Sequence, residues 1–95
     1  MFVILLDYIV STKILEKHLS EHRAYLDEGY KKNIFIVSGP QNPRIGGVIL
    51  SQLKDRQALD TVLQKDPFFI HQVATYTVIE FNPTKWHQDF VGFLK

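Results

Sequence analysis

At 95 residues the chain has room for one domain with a thin core, near the size at which association between copies often adds stability. Its 11 basic and 10 acidic residues nearly cancel, which leaves no positive field to hold a nucleic-acid backbone. With no cysteine, a disulfide framework, a thiolate nucleophile and a zinc finger are excluded, and a reducing cytoplasm is the compartment that fits.

Phe2 to Ile9 is rich in β-branched and aromatic residues and reads as a buried strand. It lacks a basic leader and a small-residue cleavage site, and Asp7 interrupts it. It also falls well short of the roughly 20 apolar residues that span a bilayer, so no membrane role is expected. Ser11 is placed to cap a first helix running from Thr12 to about Glu28. On that helix Leu15, Leu19 and Leu26 form one stripe, and at roughly 100° per residue His22 lies within about 20° of its centre. Glu16, Lys17, Ser20, Glu21, Arg23, Asp27 and Glu28 occupy the outward arc. An ionisable ring thus stands where a leucine is expected.

The helix should end near Gly29, with Asn33 able to take a left-handed turn before a second strand, Ile34 to Ser38. Gly39-Pro40 closes that strand, and a polar loop runs to Arg44. Ile45 to Ser51 reads as a third strand in which Gly46 and Gly47 let a backbone or a ligand come close. Asp55 should cap a second helix that stops at Asp66, because Pro67 disfavours helical geometry in the residue before it. Leu59, Val62 and Leu63 make its inward stripe, and Asp66 falls on the centre of that stripe. Val73 to Phe81 alternates as a fourth strand, and Thr84 to Lys95 forms a tail carrying Trp86, Phe90, Phe93 and Leu94, with room for a short helix.

The order β-α-β-β-α-β is that of an α+β ferredoxin-like unit, a four-stranded antiparallel sheet with both helices on one face. Residues 1–95 are expected to form this one domain. The first two strands are apolar at both parities, yet two helices cover only one face of a sheet. A large exposed apolar patch is rare on a monomer, so a homodimer packed sheet against sheet is expected, with the tail aromatics helping to cover the join.

His22 with Ala24-Tyr25-Leu26, Gly39-Pro40 closing the second strand, and Asp66-Pro67-Phe68 ending the second helix together resemble the YCII-related (YciI-like) family. The resemblance spans nearly the whole chain. It implies the dimeric α+β barrel architecture, similar to muconolactone isomerase, and a histidine and aspartate as active-site residues, roles that carry over to His22 and Asp66. The chain departs from the family in having Asn33 where a glycine is usual and a short loop over 40–46, which bears on substrate identity.

From the residues themselves, His22 and Asp66 read as a base and its orienter, or as a buried pair tying two helices together. Burying either group alone costs several kcal/mol or shifts its pKa toward neutrality, and pairing offsets much of this. As a base, His22 would present one ring nitrogen to a substrate while Asp66 fixes the other. Arg44, Ser38, Tyr8 and His18 are second-rank substrate-binding candidates, Arg44 for an anionic carboxylate or phenolate. His18-Leu-Ser-Glu-His22 also matches the zinc string H-x-x-E-H, but a third ligand and a large cleft are missing. A looser metal site of His18, His22 and Asp66 stays open, although neither a metal nor a cofactor is expected. No phosphate-loop spacing surrounds Gly46-Gly47, no RNA-binding strand signature is present, and Ser38 has no histidine at triad-like spacing. His71 and His87 read as exposed.

The expected function is that of a cofactor-independent cytoplasmic isomerase or lyase acting on a carbonyl or phenolic small molecule. The alternative is a non-catalytic dimeric module that binds a small ligand or a protein. A catalytic pair should line a reachable cavity, whereas a structural pair should be sealed and fully hydrogen-bonded.

Overall fold

The pleat of the first strand decides how the sheet faces. In β1 (Phe2–Tyr8), Phe2, Ile4 and Leu6 are buried while Val3 and Leu5 are only partly covered. The computed structural model describes residues 1–94 and pairs β1 with β3 (Gly46–Ser51) on one side and β4 (Ala74–Glu80) on the other. Strand β2 (Phe35–Pro40) flanks β3, so the order is β2-β3-β1-β4 and every pair is antiparallel. This is the ferredoxin-like arrangement expected from the element order. Register carries the alternation across the sheet, since Phe2 faces Ser51, Ile4 faces Ile49 and Leu6 faces Gly47, all buried. Leu15, Leu59, Leu63 and Phe68 close the core over this face.

The helical layer differs from the expected pair of continuous helices. The first splits into α1 (Thr12–Glu16) and α2 (Leu19–Lys31), because the chain tightens to bonds from Lys17 N–H to Ile14 and from His18 N–H to Leu15, at 3.2 and 3.0 Å. Ser11 caps α1 as anticipated. Gly29 does not end the helix, which runs on to Lys31; it is small because the Phe35 ring lies directly against its Cα, where a Cβ would clash. Asn33 does take the left-handed turn, at φ 58°.

The second helix is likewise shorter. Capped by Asp55, α3 (Arg56–Leu63) ends one turn before Asp66. Asp66 is therefore not on a helical stripe but is the N-cap of a separate short helix, α4 (Pro67–Ile70). Pro67 at the first position of α4 explains the arrangement, since its fixed φ suits a helix start and its missing N–H costs nothing there. Gly46 sits so close to the Leu6 carbonyl that no Cβ would fit, while Gly47 faces the cavity described below. The tail holds a 3-10 helix, Gln88–Phe93, and Lys95 lies outside the described residues. Among the described residues no helix is long and apolar enough to cross a membrane.

Candidate active site

The turn that starts α4 brings Asp66 under α2. Its carboxylate is fully buried and receives three donors. His22 Nδ1 lies 2.7 Å from Oδ1, the Phe68 N–H reaches Oδ1 at 3.0 Å, and the Tyr76 hydroxyl donates to Oδ2 at 2.6 Å. A carboxylate offers acceptors only, so the proton of the His22 contact resides on Nδ1. The lone pair of the neutral ring then belongs to Nε2. Ring stacking fixes the remaining freedom of the imidazole, whose plane lies 3° from that of Phe68 with centroids 3.9 Å apart.

Nothing among the described residues hydrogen-bonds Nε2, yet no buried side-chain nitrogen or oxygen there lacks a partner. Nε2 is therefore the reachable edge of the ring, and His22 lines a cavity of about 440 Å3 between α2 and the sheet. That volume lies within the usual range for small-molecule sites. Tyr8, Ser38 and Arg44 line the same cavity, as does Arg23, which the helical periodicity placed on the outward arc. Leu6, Leu19, Leu26 and Ile49 supply apolar wall.

Two expected residues stand apart from the lining. Asp66 sits behind His22, sealed and hydrogen-bonded, so the pair meets the criterion for a catalytic site at one end and for a structural one at the other. His18 caps α2 without a side-chain bond and stacks on His71, centroids 4.0 Å apart. His18, His22 and Asp66 do not converge into a metal-binding group among the described residues.

Sequence reasoning missed Tyr76, Tyr30 and Arg23, and it singled out Phe68 only as part of a motif, without its stacking on His22. Tyr76 had a readable signal: it occupies an inward position of β4 between Ala74 and Val78, so a hydroxyl enters the core face as His22 does on its helix. Tyr30 hydrogen-bonds Ser38, which fixes that hydroxyl at the cavity wall. Tyr25 donates to the Val62 carbonyl at 2.8 Å and ties α2 to α3.

Burial first, and then the negative charge of Asp66, push the phenols of Tyr76 and Tyr25 above their usual range. A phenol whose folded-state pKa is raised holds its proton where the unfolded chain has lost it. Stability from this source is thus complete below pH 10 and declines as pH rises past the ordinary phenol value. Denaturant titrations at successive pH values should show that decline beginning near pH 10, and Tyr76→Phe should make it shallower.

The model of the YCII-related domain matches residues 1–82 of this sequence. The chain belongs to the YCII-related domain family. This YCII chain is similar in fold to 5-chloro-2-hydroxyhydroquinone dehydrochlorinase (TftG) from Burkholderia phenoliruptrix, solved in complex with 2,5-dihydroxybenzoquinone. The two share 15% identity over 86% of this chain and 94% of that one, with a TM-score of 0.68. No curated protein is similar enough in sequence to match the YCII chain.

Proposed function

We propose that this YCII-family protein is a cofactor-independent small-molecule enzyme in which His22 Nε2 is the general base and Asp66 its orienter. The observation that carries this reading is the division of the pair: Asp66 is fully buried under three donors, while His22 lines an open cavity. A carboxylate held in that way fixes the imidazole tautomer and stabilises the imidazolium that forms when the ring takes a proton.

The fitting reactions start with removal of a proton from a carbonyl or phenolic substrate by Nε2. The freed electron pair moves onto the substrate oxygen. Its return either takes the same proton back at another carbon, which is isomerisation, or expels a leaving group as an anion, which is elimination. The fold neighbour's printed activity, loss of chloride from a hydroxyhydroquinone, is of the second kind and supports the choice of substrate class. Arg44, Tyr8 and Ser38 are proposed substrate contacts, since they share the cavity with His22. The test is turnover of chlorinated hydroquinones and enolisable ketones by the wild-type chain and by His22→Gln.

The full sealing of Asp66 favours a second reading, in which the pair holds α2 to α4 in a non-catalytic dimeric binding module. The two readings part on Asp66→Asn, which preserves the packing and changes the base.

We also propose that the chain forms a homodimer through the sheet face away from the helices. Val37 and Ile79 are exposed there, and their cross-strand neighbours Val3, Leu5, Val48 and Leu50 are only partly covered. Sedimentation at micromolar concentration should give twice the chain mass, and Val37→Glu combined with Leu50→Glu should give a folded monomer. A wild-type monomer at that concentration would contradict the proposal.

A further inference from the structure

The side chains lining the cavity carry two guanidiniums, Arg23 from α2 and Arg44 from the loop before β3, and not one carboxylate. That imbalance is local, because the chain as a whole has 11 basic and 10 acidic residues. Neither arginine joins any ion pair among the described residues, although Lys31, Arg56, His22, His71 and His87 all do. Asp66, behind His22, is already committed to His22, the Phe68 N–H and Tyr76. Both guanidiniums are exposed at the mouth, where they keep their hydration until a ligand arrives.

The geometry points to a substrate that is an anionic ring compound, a carboxylate or phenolate whose apolar body lies against Leu6, Leu19 and Ile49 while Arg23 and Arg44 take its charge. This rests on the cavity being the substrate site of the proposed enzyme. Guanidinium suits the task because it presents a planar fork of donors that matches a carboxylate and stays charged throughout the physiological range. It also suits the chemistry. Proton removal by His22 leaves negative charge on the substrate oxygen, and a cationic rim holds that charge in place instead of leaving it beside the buried Asp66.

The arrangement assigns Arg23 a role distinct from its neighbour in sequence. His22 faces the proton to be moved, whereas Arg23 sets which molecules enter. The probe is a pair of equal shape and different charge: 2,5-dihydroxybenzoate and 2,5-dihydroxybenzamide, titrated separately into the isotopically labelled full chain at neutral pH and low salt, and followed by backbone amide shifts. The acid should bind about tenfold tighter than the amide, with shifts at residues 22–26 and 38–48. Arg23→Gln and Arg44→Gln, each folded by circular dichroism, should bring the acid down toward the affinity of the amide, and added salt should do the same to the wild-type chain. Equal binding of acid and amide, no saturable shift with either at millimolar concentration, or discrimination untouched by both substitutions would overturn the proposal.

Its failure is separable from failure of the base. His22→Gln should keep the preference for the acid while turnover disappears. Turnover that depends on His22, with acid and amide bound alike, would remove the anion clamp and leave the base. A preserved preference with turnover indifferent to His22 would do the reverse.

Discussion

Replacing His22 with Gln should lower kcat/KM by about two to four orders of magnitude, the range that a positioned general base contributes. Glutamine is chosen because it keeps most of the ring's volume over Phe68 and leaves Asp66 its other two donors, the Phe68 N–H and the Tyr76 hydroxyl. What the variant lacks is a basic lone pair where Nε2 meets the cavity. Its circular dichroism and melting temperature should therefore stay close to those of the parent while turnover is lost. A variant that retains turnover would exclude His22 as the base, whatever its place in the structure.

Asp66→Ala should cost on the order of 3 to 5 kcal/mol. The substitution removes the N-cap of α4 and leaves the Tyr76 hydroxyl and the Phe68 N–H without their acceptor beneath a closed core. For a chain of this size that loss corresponds to a fall in melting temperature of roughly 15 °C or more. Asp66→Asn behaves differently. Its carbonyl oxygen in the Oδ1 position still accepts from His22 Nδ1 and the Phe68 N–H while its amide group donates to the Tyr76 hydroxyl, so what is lost is the negative charge that stabilises the imidazolium. The expected result is a modest stability loss with a clear activity loss that stays smaller than that of His22→Gln. Were Asp66→Asn fully active, the carboxylate would be a structural element only, and the scaffold reading would stand.

The contrast between those two variants follows from where Asp66 sits, and this was the least legible part of the sequence. The fold itself could be read because strand alternation, the turn at Asn33 and the caps at Ser11 and Asp55 depend on neighbours in the chain. His22 could be read for the same reason, as a polar break in a helical stripe. Asp66 was expected on the inner face of a helix and is buried by another route, as the cap of a new helix begun by Pro67. The pairing with His22 was right in outcome because both routes point the carboxylate under α2. Arg23 was assigned to solvent by periodicity, and it is exposed, but the sheet end opposite it turns that exposure into the mouth of a cavity. The break at Lys17 and His18 has no proline or glycine to mark it, and it sets the His18 ring on His71, 53 positions along the chain. Such contacts arise from packing between distant segments and leave no trace in local spacing.

Tyr76 shows a middle case. Its inward position in β4 was visible, but its partner was not, because the hydroxyl meets Asp66 only after the turn at Lys65 and Asp66 has folded beneath the sheet edge. Burial and the charge of Asp66 then hold its proton in place, which keeps it a donor to the carboxylate beyond the pH at which a free phenol ionises.

The central claim is that Asp66 fixes the ring of His22 with its lone pair toward the cavity. Long-range proton–nitrogen correlation NMR on the labelled chain reads this directly, because protonated and bare imidazole nitrogens resonate far apart. In the neutral ring of His22 the proton should be found on Nδ1, with Nε2 bare. A proton on Nε2 in the wild-type chain, with Nδ1 bare, would contradict the account.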